Sequence, residues 1–374
     1  MPVLFAEPGG IPFTIPRDHS RNPVMFKKSL IATAVVGALS ASAVAQAATV
    51  YDQNGTKVDI YGRINYMITS GGPQDLSPGA EKESGSEFQN NGSRFGFRAS
   101  HELSSDLSAF ARMEFRFKAD EVNSESMTVR NSFLGLKSQQ LGTLTIGNFD
   151  SVYFQAVSSL FDVYENDGFI SLDTGSTSSR GDTVAYASPV FSGLQGHVQV
   201  KHISGNDAEV GAQDNGSTTS TAAAVTYSWE DLYLAAGYNQ SRDVSERGAS
   251  YGGGGNNSAG EDIWGVSAQY KFLPNFSARV MYEELGSVNE GASASAKKEI
   301  VGLGATFNYG QGNLYADVYD VSYVGDISSS NPWAIGVDYR FSPMRVYAEI
   351  FDEDVSGENI DDSLLYTVGI RYDF

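Results

Sequence analysis

The last eleven residues of the chain alternate apolar and polar side chains and end on an aromatic residue. Successive side chains of an extended strand point to opposite faces, so one face of this segment carries Arg371 and Asp373 and the other is wholly apolar. Such a strand fits a wall between water and lipid, and it predicts the closing strand of a transmembrane β-barrel. Tyr372 and Phe374 are the candidate signal for barrel closure and assembly. The apolar face consists of Leu364, Tyr366, Val368, Ile370, Tyr372 and Phe374.

The amino-terminal region predicts export. Residues 25–47 contain a basic start, an apolar core and a small-residue cleavage site, which is the pattern of a cleaved signal peptide. The apolar core is shorter than the ~20 residues that a membrane-spanning helix needs. Residues 1–24 precede this complete signal and are interpreted as an upstream extension without structural role. The mature domain is predicted to be 48–374.

Composition excludes several classes of protein. The whole chain has a net charge of −20, and removal of residues 1–47, with four basic and two acidic residues, makes it −22. A nucleic-acid partner is therefore not expected. The chain has no cysteine, which rules out a disulfide framework and a thiolate metal site. After the signal, no run of eighteen apolar residues occurs, which argues against a helical membrane protein.

Sixteen segments of roughly ten alternating residues are bounded by turn signals. Very short connections between them alternate with long polar ones, as in an up-and-down meander. We therefore predict an all-β fold, a transmembrane antiparallel up-and-down β-barrel of 16 strands in one domain. The segments are 57–68, 92–103, 107–119, 127–138, 142–149, 181–188, 194–203, 219–229, 231–241, 261–272, 275–286, 297–309, 312–323, 332–342, 344–353 and 362–374.

Five motifs carry a resemblance that covers the whole mature chain. They are 58–63 (VDIYGR), 93–98 (SRFGFR), 130–137 (RNSFLGLK), 142–147 (GTLTIG) and the terminal 372–374 (YDF). In these motifs and their order the chain resembles the general diffusion porins of Gram-negative outer membranes. The resemblance implies a homotrimer in which each subunit holds a water-filled pore for small hydrophilic solutes and ions. It also implies a location in the outer membrane, with membrane lipid and lipopolysaccharide as neighbours.

The porin family folds its third long loop into the barrel, and residues 150–180 match that loop. A connection of this length without regular structure is uncommon unless it is functional. By resemblance, Asp162, Glu165 and Asp167 are the candidate acidic side of a pore constriction. The alternative interpretation is an exposed surface loop.

The basic side of the constriction follows partly from alternation. Placing the apolar side chains of the first three strands on the lipid face turns Arg63, Arg94, Arg98 and Arg112 toward the lumen. The resemblance places the family's basic ladder on Arg63, Arg94, Arg130 and Arg180. The orientation of Arg130 is less clear from the pattern, because putting Phe133 outside and Arg130 inside also turns Leu134 and Leu136 inward. Any single arginine could equally be an ordinary solvated residue of the wall.

We predict a general diffusion porin with modest cation selectivity, because the acidic loops and net charge would concentrate cations at the pore mouth. No cofactor and no metal site are expected; acidic loops without EF-hand spacing are interpreted as solvated. An enzyme is not expected, because His101, His197 and His202 do not accompany a GxSxG serine or another convergent triad. The alternatives are an adhesive or structural barrel and a solute-specific channel.

Overall fold

The computed structural model describes residues 47–75, 85–121, 127–175, 180–203, 217–240, 262–288, 293–325, 328–355, 360–361 and 364–374. The predicted upstream extension and nearly all of the predicted signal peptide lie outside these residues. The strands are β1 Ala48–Gln53, β2 Thr56–Ser70, β3 Gln74–Asp75, β4 Ser86–Asn90, β5 Arg94–Glu102, β6 Leu107–Arg116, β7 Thr128–Ser138, β8 Gly142–Asn148, β9 Thr183–Ala187, β10 Leu194–Ile203, β11 Thr218–Trp229, β12 Leu232–Gln240, β13 Asp262–Leu273, β14 Phe276–Leu285, β15 Lys297–Asn308, β16 Asn313–Tyr323, β17 Trp333–Phe341, β18 Met344–Asp352, β19 Ile360–Asp361 and β20 Leu365–Asp373.

Sixteen of these strands form a closed antiparallel barrel, as predicted. Each pairs with its neighbours in the chain, from β5 through β18 to β20, and β2 closes the ring by pairing with β5 on one side and β20 on the other. The short strands β1 and β4 also pair with β2. Strand β1 lies on the same side of β2 as β20, past the end of β20. Strand β4 lies on the same side of β2 as β5, ahead of the start of β5. Closure leaves no open sheet edge, which is the requirement for strands in a bilayer.

The outer face of the barrel is apolar and the inner face is polar. In β20, Tyr366, Val368 and Ile370 are exposed, whereas Arg371 and Asp373 on the opposite face are buried. The predicted alternation of the terminal strand is therefore confirmed. Among the described residues, no helix is long and apolar enough to cross a membrane.

Strand β7 contains a β-bulge that the sequence pattern does not reveal. Glu114 pairs with Asn131 and Phe115 pairs with Val129, so Arg130 is the extra residue. The bulge lets Arg130 and Asn131 both lie on the inner face. The predicted orientation of this strand was wrong in one respect: Leu134 and Leu136 face outward, being 59% and 42% exposed, while Phe133 packs on the inner side.

Residues 149–175, called the inner segment below, follow β8 and pack against the inner face of the wall. The segment contains a short helix, α1 Val152–Ala156, whose amide at Phe154 donates a hydrogen bond to the capping hydroxyl of Ser151, and a 3₁₀ turn, Ser158–Leu160. Most of its apolar side chains form one buried cluster with side chains of β11 to β16. Phe149 and Val152 belong to a second cluster, and Tyr164 belongs to a third. The helix contacts β10, β11 and β12. Most apolar side chains of the segment are therefore buried against strands of the wall.

Candidate functional site

A buried carboxylate on β14 anchors the first half of the inner segment. Glu283 is completely buried and accepts hydrogen bonds from the hydroxyls of Tyr153, Ser158 and Ser171. It also accepts a hydrogen bond of 2.8 Å from the backbone N–H of Leu172. Four donors on one carboxylate satisfy a charge that would otherwise be costly to bury. Glu283 thus connects both arms of the segment to the wall.

A second carboxylate, Glu349 on β18, anchors the tip of the segment. It accepts hydrogen bonds from the backbone N–H groups of Glu165, at 2.7 Å, and Asn166, at 3.0 Å. It also accepts one from the hydroxyl of Tyr315, at 2.7 Å. Because two of these donors are backbone groups, Glu349 fixes the backbone position from which the side chain of Glu165 extends.

Glycines in the wall make room for the segment. A Cβ added at Gly265 would lie 2.3 Å from the hydroxyl oxygen of Tyr153, and one at Gly237 would lie 2.7 Å from the same ring. Tyr153 itself is fully buried. Burial and the adjacent carboxylate of Glu283 raise the pKa of Tyr153 well above its usual value. It therefore stays a neutral donor and holds α1 close to the wall.

Asp173 links the end of the inner segment to its start and to the wall. It accepts hydrogen bonds from Ser151, Asn239 and the backbone N–H of Gly175. Burial raises the pKa of Asp173, although each of these three hydrogen bonds acts to lower it. The contact to Asn239 ties the returning arm to β12.

Between the segment and the opposite wall lies a cavity of about 450 Å³. Charged groups dominate its lining, with more arginines than carboxylates. The eight arginines are Arg63, Arg94, Arg116, Arg130, Arg279, Arg340, Arg345 and Arg371, and the three acidic residues are Asp162, Glu165 and Asp338. The lining is therefore positive, the opposite of the sign from which cation selectivity was predicted.

Glu165 is the acidic residue that reaches the arginines of the wall. Its carboxylate lies 2.8 Å from Arg371, 2.5 Å from Arg345 and 3.9 Å from Arg63. Asn65 donates a hydrogen bond to it at 3.2 Å. The single carboxylate of Glu165 thus forms ion pairs with arginines of three neighbouring strands, and it neutralises only part of their charge.

A second charged cluster lies on β2, β5, β6 and β7. Glu114 is buried, 2.6 Å from Arg112 and 2.8 Å from Arg130, with Arg94 at 3.9 Å. It also accepts a hydrogen bond from the hydroxyl of Tyr61. Here too a single carboxylate faces several guanidinium groups.

The structure brings most of the predicted constriction residues together. Arg63, Arg94, Arg130, Asp162 and Glu165 line the same cavity. Their functional roles remain predictions.

Four predicted constriction residues, Arg98, Arg112, Arg180 and Asp167, are not among the residues that line the cavity. Arg112 binds Glu114, and Arg98 stacks over the ring of Tyr61 with its guanidinium carbon 4.1 Å from the ring centre. Arg180 is paired with Asp150. Asp167 is exposed and is not part of the lining.

Several arginines of the cavity were not named as candidates from the sequence. They come from β6 and from strands late in the chain: Arg116, Arg279, Arg340, Arg345 and Arg371. Alternation places Arg371 and Arg116 on the lumen face, so that signal was available. That they share one cavity depends on barrel closure, which joins strands distant in sequence.

Comparisons with known proteins agree with this architecture. A family model described as Gram-negative porin matches residues 32–358. A protein named monosaccharide porin, from Halomonas sp, is 31% identical over 80% of this chain and 81% of its own length.

Two solved structures share the fold. Salmonella typhi OmpF in complex with daunomycin has a TM-score of 0.67 at 17% identity and covers 87% of this chain and 100% of its own. The trimer form of Vibrio cholerae OmpT has a TM-score of 0.59 at 18% identity and covers 86% of this chain and 100% of its own. With the family match across most of its length, the chain belongs to the Gram-negative porin family and resides in the outer membrane.

Proposed function

We propose that the protein is a diffusion channel for small hydrophilic solutes and ions. The observation that carries the proposal is the polar cavity of about 450 Å³ inside a closed barrel, bounded by the anchored segment on one side and by arginines on the other. A channel of this kind performs no covalent chemistry. Its function is the free-energy profile of a solute that moves through a narrow aqueous passage.

The charges of the cavity set up a field across the passage. Asp162 and Glu165 project from the inner segment, and Arg63, Arg94 and Arg130 project from the facing wall. Opposed charges orient water and dipolar solutes, whereas an apolar solute must displace that water without replacing its hydrogen bonds. Polar solutes therefore pass more readily than apolar ones.

We propose a preference for anions, in place of the predicted preference for cations. The prediction of cation selectivity rests on the net charge of −22 of the mature chain and on its acidic loops. At physiological ionic strength a charge is screened over about 8 Å, so groups that line the passage act more strongly on a permeating ion than distant surface charges do. Eight arginines and three acidic residues line the passage. Glu114, Asp317 and Asp373 also pair with some of these arginines, and the arginines remain in excess when these three carboxylates are counted.

A channel specific for monosaccharides is the second candidate, because a Halomonas relative carries the name monosaccharide porin. Specific sugar channels need aromatic faces on which sugar rings stack. Tyr61, an aromatic side chain of the inner wall, has Arg98 over its ring at 4.1 Å and Arg112 at 5.2 Å. With its ring engaged by arginines, Tyr61 supports general diffusion better than sugar stacking.

We further propose that the protein is a homotrimer set among lipopolysaccharide and membrane lipid. The trimer form of OmpT, which shares the fold, supports this assembly. Heating below boiling in detergent should preserve a species of about three times the monomer mass, and boiling should abolish it.

The deciding experiment measures the reversal potential of the purified protein in a planar bilayer under a tenfold KCl gradient. Stepwise conductance with a potential that favours chloride is the expected result. The preference should weaken as salt rises from 0.01 to 1 M, because the screening length falls from roughly 30 Å to about 3 Å. A potential that favours potassium would refute the role given to the lining arginines, and an absence of conductance would favour an adhesive or structural barrel.

A further inference from the structure

Three arginines of adjacent strands meet at one side of the cavity. Arg94 on β5 and Arg116 on β6 are direct register partners. Arg130 on β7 joins them because the bulge in β7 turns it inward next to Asn131. All three line the cavity, so their guanidinium groups are accessible to a solute in the passage.

This group carries more positive charge than its surroundings neutralise. Within the described part of the chain, Arg116 makes no ion pair or side-chain hydrogen bond, and three of the charged groups that act on it are Arg130, Arg94 and Arg180. The carboxylates near the group are already shared with other arginines. Glu114 pairs with Arg94, Arg112 and Arg130. Glu165 pairs with Arg63, Arg345 and Arg371, so that Asp162 is the remaining carboxylate acting on Arg94 and Arg130. In addition, Nε of Arg130 is buried without a hydrogen-bond partner.

We propose that Arg94, Arg116 and Arg130 form a binding site for phosphate within the passage. Guanidinium groups present planar, forked donors that match the oxygens of a tetrahedral oxyanion. A dianion accepts from several forks at once and relieves the repulsion among the three arginines, which a single chloride ion does to a smaller extent. The proposal rests on the channel function above and adds to it a saturable step for solutes that carry a phosphate group.

The test uses inorganic phosphate as the probe and the purified full-length protein in planar bilayers. Chloride current in KCl is recorded while phosphate is added at constant ionic strength. The wild-type current should fall to a plateau as the site fills. Arg116→Gln should raise the half-blocking concentration about tenfold, since one charge-assisted interaction is worth roughly 1.5 kcal/mol or more. Arg116→Lys, which keeps the charge but loses the fork, should give an intermediate value.

Arg340→Gln is the matched control. Arg340 lines the same cavity but is paired with Asp338 at 3.0 Å. This variant also removes one positive charge from the passage, and its half-blocking concentration should stay close to that of the wild type.

Equal shifts in the Arg116→Gln and Arg340→Gln variants would overturn the site, because they would reflect the overall field alone. A wild-type current that falls without saturating would overturn it as well. Absence of any KCl conductance in the wild type is a different outcome and would refute the channel function itself.

Discussion

Glu349 provides the sharpest test of how the inner segment is held. Its carboxylate accepts three hydrogen bonds, two of them from the backbone of Glu165 and Asn166. Hydrogen bonds to a charged group contribute about 1.5–3 kcal/mol each. They share one acceptor and are not additive, and water in the cavity can replace part of what is lost. We therefore expect Glu349→Ala to weaken anchoring by about 3 kcal/mol, which raises the detached population of the tip roughly 100-fold.

Detachment of the tip should be visible in single-channel recordings. When Glu165 leaves Arg345 and Arg371, the passage widens and these two arginines lose their shared counter-charge. Mean conductance, current noise and anion preference should all increase in Glu349→Ala.

Two further variants separate anchoring from charge. Glu349→Gln removes the same charge but keeps one acceptor oxygen, so its noise should lie between wild type and Glu349→Ala. Tyr315→Phe removes a donor of the wall and leaves both backbone donors of the segment paired, so it should resemble the wild type. If Glu349→Ala and Glu349→Gln gave the same noise and conductance, the anchoring argument would be refuted.

Two other predictions concern the close contact between the inner segment and the wall at Gly265, and the closure of the barrel. Gly265→Ala should lower the thermal stability of the folded barrel by an amount typical of overpacking, about 1–3 kcal/mol, because the added Cβ would lie 2.3 Å from the hydroxyl of Tyr153. The control is Gly196→Ala, whose added Cβ would lie 3.9 Å from Oγ of Ser188; similar melting temperatures for the two variants would contradict the proposed close approach. Phe374→Ala should slow folding into detergent or lipid, because Phe374 covers Gly62 and its backbone exchanges two hydrogen bonds with Gly62 across the closing seam. Unchanged folding kinetics, measured by the shift in gel mobility between heated and unheated samples, would remove this side chain from closure.

The wall of the barrel could be predicted from the sequence because its signal is local. Alternation with a period of two, bounded by turn residues, marks each strand, and a lipid-facing charge is costly enough to make the pattern strict. The orientation of Arg63, Arg94 and Arg112 followed from this rule alone. The bulge at Arg130 does not follow from it, because one extra residue shifts the phase of β7 without any distinctive residue type to signal it.

The contacts of the inner segment could not be predicted in the same way. Glu283 and Glu349 are single carboxylates in strands that otherwise alternate normally, and their partners on the segment lie more than 100 residues away in sequence. The proposed anion preference differs from the preference predicted from the sequence for a related reason. Net charge is a sum over the whole chain. The charge that a permeating ion encounters depends on the few side chains, from many strands, that line the passage, and arginines are in excess among them.

The position of the arginines has a consequence for assembly. Arg345 and Arg371 belong to the last strands, Arg63 belongs to the first long strand, and Arg63 meets Asp373 across a separation of 310 residues. These groups become neighbours only when β20 pairs with β2, which is the step that seals the wall. Before this pairing forms, the arginines that line the cavity are not yet assembled. The charged lining that distinguishes solutes is therefore completed in the same step that closes the barrel wall.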